Sequence, residues 1–265
     1  MKKLFALLLA LLFTGVSFTA VAETTATLEG LITETGDGYF LMQDIHQGSV
    51  RVNLDETTVY EGTATQTSLA KGQYVYVQYN GVMTRSLPPQ VSAQKVSCFQ
   101  VSGTVSALLE NGFVVEGDLT LKQVVVHAGS DQPPVFKGMA VTLYYNGIMA
   151  LSQPPQINAV HMVVPTLSGT ASAVTDKGFT LTSTDGTQYV VTLTDETLVS
   201  TLPANGETLV VYYSGQLTDN TATALGIASD AANDATTGGN MRASLQNEYP
   251  PEVLLISEKN SSLPR

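Results

Sequence analysis

The sequence predicts an all-β protein built as three tandem five-stranded barrels. Three observations carry that reading. Segments with the same opening recur at Leu28, Val101 and Leu167, as "LEGLITETGDGYFLM", "VSGTVSALLENGFVVEG" and "LSGTASAVTDKGFTLTS". The stretch "YNGVMTRSLPPQVSA" at 79–93 returns at 145–159 as "YNGIMALSQPPQINA". Short runs of alternating apolar and polar residues fill the chain between these landmarks, and beyond the first residues no segment carries a helical period.

Each repeat opens with a hairpin. Gly30, Gly103 and Gly169 lie near its start, and Gly38-Tyr39, Gly112-Phe113 and Gly178-Phe179 mark its turn. "GDG", "ENG" and "DKG" supply residues that tolerate positive φ in a tight reversal. A third strand follows: "SVRVNL" from Ser49, "KQVVVHA" from Lys122 and "TQYVVTL" from Thr187. A polar connection then leads to a fourth strand, "QYVYVQYNG", "MAVTLYYNG" or "TLVVYYSG". The first two repeats close with a fifth, "PPQVSAQKVSCF" and "PPQINAVHMVV".

The third repeat offers two closing strands. "TATALGIAS" follows at once from Thr221, whereas "PPEVLLIS" from Pro250 lies beyond the linker-like "DAANDATTGGN". We favour closure by the former, with the latter as a tail strand; the alternative is an enlarged loop between strands four and five. The expected divisions are a signal peptide at 1–22 and modules at 23–99, 100–165 and 166–229. A linker and tail then occupy 230–265.

The skeleton G-x-V…G-F…V-x-V…Y-x-G…A-x-x-V, with strands in this order, resembles the OB-fold and in particular the small OB-like modules of exported bacterial proteins. The fold class it implies is all-β, three tandem five-stranded OB-like β-barrels with a C-terminal linker and tail strand. The chain departs from the usual OB plan in having no evident helix between strands three and four. The competing architecture is one continuous β-sandwich or solenoid.

"MKKLFALLLALLFTGVSFTAVAE" reads as a secretory signal peptide: Lys2 and Lys3 precede an apolar core, and Ala20-Val21-Ala22 suits cleavage after Ala22. The expected location is secreted or periplasmic. The 243-residue remainder holds no apolar run of the ~20 residues that a membrane helix needs. It keeps ten basic against 23 acidic residues, a formal charge of −13. That charge opposes phosphate backbones, so nucleic acid is not expected as a partner. The single cysteine, Cys98, makes no internal disulfide and reads as core filling, with a reactive or intermolecular thiol as the sharper alternative.

Candidate chemistry is sparse. S-x-x-K at Ser68–Lys71 and Ser92–Lys95 has neither the helix nor the partner motifs of a penicillin-binding enzyme. His46, His127 and His161 have no metal-ligand spacing. "LDET" at 54–57 and "TDET" at 194–197 suggest turns more than calcium loops. No metal or cofactor is expected.

The fourth strands are more informative. Val75, Val77 and Tyr79 share one parity with Val141, Leu143 and Tyr145, and with Leu209, Val211 and Tyr213, which predicts the barrel interior. Tyr74, Tyr76, Tyr144 and Tyr212 have the outward parity. Such tyrosines stack on sugars, anchor a protein partner, or pack against the next module, the last being favoured for at least half of them. Met83, Arg85 and Met149 sit where the long repeat diverges. Together these seven residues form the candidate ligand-binding set.

The expected function is non-catalytic binding or scaffolding at the bacterial cell envelope, the ligand being a polypeptide or a glycan. The alternatives are a hydrolase of envelope polymers and a structural envelope protein with no discrete ligand.

Overall fold

The structure is a computed structural model and describes residues 25–117, 122–199 and 201–229. The signal peptide, the linker and the tail strand expected from the sequence lie outside the described residues.

Three barrels follow one another, and their strands are built where the alternating runs fall. The first uses β1 (Ala26–Gly36), β2 (Tyr39–Asp44), β3 (Gly48–Asn53), β5 (Tyr74–Tyr79) and β6 (Gln90–Cys98). A short extra strand, β4 (Val59–Gly62), lies in the connection and pairs with the far half of β6. The second barrel uses β7 (Gln100–Leu109), β8 (Gly112–Gly117), β9 (Val124–Ala128), β10 (Ala140–Ala150) and β11 (Gln156–Val163). The third uses β12 (Thr166–Thr175), β13 (Gly178–Thr182), β14 (Gln188–Thr192), β15 (Thr208–Tyr213) and β16 (Thr221–Ser229).

The order around every barrel is one-two-three-five-four and back to one. All neighbours are antiparallel except strands three and five, which close the ring in parallel. Arg51 to Asn53 meet Gln90 to Ser92 in the first barrel, and Val190 to Thr192 meet Thr221 to Thr223 in the third. This is the OB arrangement, a small Greek-key barrel. "TATALGIAS" is the strand that closes the third barrel.

The interior parity of the fourth strands is as the pattern implies. Val75, Val77 and Tyr79 are buried in the first core, Val141 and Leu143 in the second, and Leu209 and Val211 in the third. Tyr145 and Tyr213, on the same parity, are half-buried. Phe40, Phe113 and Phe179 fill the equivalent place on the second strands. Gly30, Gly103 and Gly169 are required by close approach. A Cβ there would run into the backbone carbonyl of Gln43, Glu116 or Thr182 on the facing strand.

The connections are pinned by threonine hydroxyls. Thr58 donates to the carbonyl of Ala93 (3.1 Å) and Thr197 to that of Ala224 (2.8 Å), each tying the connection to strand five. Asp55 accepts from the amide and hydroxyl of Thr57, so "LDET" makes a turn. Cys98 is fully buried, and burial pushes its thiol pKa up.

The modules are joined directly. One residue, Phe99, separates β6 from β7, and two separate β11 from β12. At the first joint Tyr144 and Val160 of the second module pack into the first module's core cluster. His161 lies between Tyr74 and Tyr144, with ring centroids 6.0 and 5.9 Å away. At the second joint Val210, Tyr212 and Ala228 join the second module's core cluster. Phe136 lies 5.6 Å from the Tyr212 ring, over Gly226, where a Cβ would occupy the ring's place. The Ala140 amide donates to the carbonyl of Ser214 (2.9 Å) across the same joint.

Candidate functional site

These joints correct the tyrosine part of the candidate set. Tyr74, Tyr144 and Tyr212 leave their own barrels outward, as parity requires, yet a neighbouring module buries them to 9%, 5% and 1% exposure. Tyr76 is half-buried, and its hydroxyl is sealed without a hydrogen-bond partner among the described residues. Burial, with Glu29 and Asp44 nearby, pushes Tyr74 up to about 12. Burial alone does the same to Tyr212. The reason is geometric: the outer surface of strand four is the one the modules use to pack on each other. None of the four is placed to stack on a ligand.

Met83 and Met149 are half-buried anchors packed on the first and second cores, and Arg85 is exposed between them in sequence. The loops holding them share a side-chain frame. Asn80 Oδ1 accepts from the Val82 amide (3.0 Å) and Asn146 Oδ1 from the Ile148 amide (3.1 Å). Ser86 and Ser152 donate to the carbonyls of Pro88 (2.8 Å) and Pro154 (2.7 Å). The Leu87–Pro88 and Gln153–Pro154 bonds are both cis.

In the first module this loop is tied to a surface that sequence reasoning did not single out. The Gln90 amide donates to the Thr84 hydroxyl (2.8 Å), and the Thr84 amide donates to the Gln90 carbonyl (3.0 Å). Gln90 opens β6 and pairs in register with Arg51 on β3, which pairs with Leu41 on β2. Beside that row run Tyr39, Asn53 and Ser92. Side chains alternate along strands, so with Val50, Val52 and Phe40 buried, these residues share the outer face.

The face is organised around Arg51. Its guanidinium carbon lies 3.7 Å from the centroid of the Tyr39 ring. The ring in turn lies over Gly36, whose missing Cβ would fall within it. Arg51 Nε donates to Asn53 Oδ1 (3.0 Å), and Asn53 Nδ2 donates to Gln90 Oε1 (3.4 Å). Among the described residues the one ion pair is Lys95–Glu61, so no carboxylate neutralises Arg51.

The same positions differ in the other barrels. Where the first has Tyr39, Arg51, Asn53 and Gln90, the second has Gly112, Val125, His127 and Gln156. The third has Gly178, Val190, Thr192 and Thr221. His127 bridges the Asn111 carbonyl (2.7 Å) and Gln156 (3.0 Å), partners that raise its pKa. The repeat hides Tyr39 because "GYF" aligns by its first aromatic with "GF", whereas register equates Phe40, not Tyr39, with Phe113 and Phe179. Arginine was the usable signal: Arg51 and Arg85 are the two arginines ahead of residue 242.

No family model and no curated protein matches the chain. Among solved structures it is similar to one described as "drosophila Unr CSD456", with 10% identity and a TM-score of 0.21. That match covers 77% of this chain and 97% of the other. A second is a multidomain protein with nucleic acid binding domains from Streptococcus pneumoniae. Identity there is 14% and the TM-score 0.18, over 75% of this chain and 72% of the other. These matches correct the exclusion of nucleic acid: a solved structure similar to this chain has nucleic acid binding domains, so charge alone does not rule that partner out. At these scores they say nothing of what this chain itself binds.

Proposed function

We propose that the chain is an exported, non-catalytic binding protein of the bacterial cell envelope, taking a glycan or a polypeptide on the outer face of its first barrel. One observation carries this reading. The β2–β3–β6 face holds Arg51 laid on Tyr39 and braced by Asn53 and Gln90, while the other two barrels have glycine and valine at the first two positions. In OB-folds the surface over strands two and three, with the adjoining loops, is where oligonucleotides and oligosaccharides bind. Here that surface is bordered by the Asn80–Pro89 loop, whose Thr84 is bonded to Gln90. The apparent signal peptide supports an exported location, and the closely joined barrels suit a scaffold that presents the face at a fixed place.

Retention on isolated cell-envelope polymer columns tests the reading. The wild-type chain is expected to be held back, and the Tyr39→Ala/Arg51→Ala double variant to run with the void. Equal retention of the two would remove the first-module face from the function.

A further inference from the structure

We infer that Arg51 is the receptor for a carboxylate of the ligand, and that the ligand class is therefore an acidic polysaccharide, one carrying carboxylated sugars such as uronic acids. This rests on the first-module face being the ligand site. The guanidinium is unusual in this chain in three respects. It is half-buried and its central carbon rests over the Tyr39 ring, so less freedom remains to be lost on binding. Its Nε is committed to Asn53, a bond that restricts rotation of the group. Its two terminal nitrogens have no acceptor among the described residues, in a chain whose net charge is −11.

A restrained guanidinium edge with two free N–H groups matches a carboxylate in the bidentate manner, which a lysine does not reproduce. What surrounds it selects the rest of the ligand. Across the three strands stand Gln43, Ser49, Asn53, Gln90 and Ser92, with Thr84 from the loop, all neutral hydrogen-bonding groups. Leu41 is the one apolar side chain in the row. One braced cation among neutral amides and hydroxyls, with the exposed Glu34 two strands away on β1, suits one carboxylate among sugar hydroxyls. A polypeptide would need apolar pockets for its side-chain anchors.

Affinity electrophoresis of the full chain measures this with four probes: polygalacturonate, its fully methyl-esterified form, polyglutamate and a single-stranded DNA oligonucleotide. Polygalacturonate is expected to retard the protein, with the effect weakening as salt rises, and the methyl ester at least about tenfold less, as loss of a charged hydrogen bond implies. Arg51→Gln is expected to abolish the difference between acid and ester, while Lys137→Gln, the same charge change on the second module, keeps it. A thermal melt of Arg51→Gln close to wild type ensures that folding is not the cause.

Equal retardation by acid and ester, with loss on Arg51→Gln, would overturn the carboxylate assignment and leave the face as a ligand site. Tighter binding to polyglutamate or to the oligonucleotide would overturn the polysaccharide assignment. No retardation by polygalacturonate would overturn the inference outright, while retention on envelope polymers would still stand as a separate result.

Discussion

The first barrel carries tyrosines on two outer faces, and the two faces have opposite fates. On β5, Tyr74 and Tyr76 are covered by Tyr144, Val160 and His161 of the second module. On β2, Tyr39 stays half-exposed and holds an arginine with no carboxylate partner among the described residues. Outward parity is therefore not a mark of function. What decides is whether a neighbouring module covers that face, and at both joints a tyrosine of strand four is what is covered.

The largest effect expected from that contrast is at the covered faces. Tyr212→Ala should cost about 3–5 kcal/mol, as for other buried aromatics, read by urea unfolding of the full chain. Tyr39→Ala should cost no more than ~1 kcal/mol, the scale of an exposed cation–π contact. Similar costs at the two sites would erase the distinction.

Next comes the position that Tyr39 occupies, read in the second barrel. Gly112 has φ +151°, and a Cβ on it would strike the Val126 carbonyl. Gly112→Ala should therefore lose roughly 1–3 kcal/mol, although the first barrel accommodates a whole tyrosine at the equivalent place. A neutral alanine there would show that the two barrels do not differ in backbone at this point.

A smaller and opposite effect is expected from Tyr76→Phe. It removes a sealed hydroxyl without a partner, so stability should hold or rise by about 1 kcal/mol. A clear loss would mean the hydroxyl is bonded in solution.

The smallest effect separates two histidines of the second module. Burial in the joint lowers the pKa of His161, so its neutral form favours folding above about 6.5 and that contribution is lost as pH falls. Gln156 and Asn111 raise that of His127, so its contribution is full below about 6.5 and is lost as pH rises through the folded value. NMR titration should find His161 titrating at the lower pH; the reverse order would contradict the joint's geometry.

Much of the fold was legible because periodicity and turn glycines are local signals. Val75, Val77 and Tyr79 alternate, and the alternation alone says which side is core. The short β4 escaped notice because "VYEG" is four residues inside a polar connection and gains its pairing only from β6. The candidate face was harder to see because it is assembled from residues 39, 51, 53 and 90, brought together by a parallel pairing that leaves no trace in local pattern. The joints were hidden for the same reason, since His161 meets Tyr74 across 87 residues of sequence.

The single residue between β6 and β7 has a mechanical consequence. Chain tension would enter each barrel at the start of strand one and leave at the end of strand five. These two strands run the same way, and both are antiparallel to strand four between them. Their hydrogen bonds lie across the line of pull and share it in parallel, rather than opening one after another. With no slack joining the first barrel to the second, a pull applied to one is carried by the ladders of both, as in a rope whose strength is set by shear between its strands.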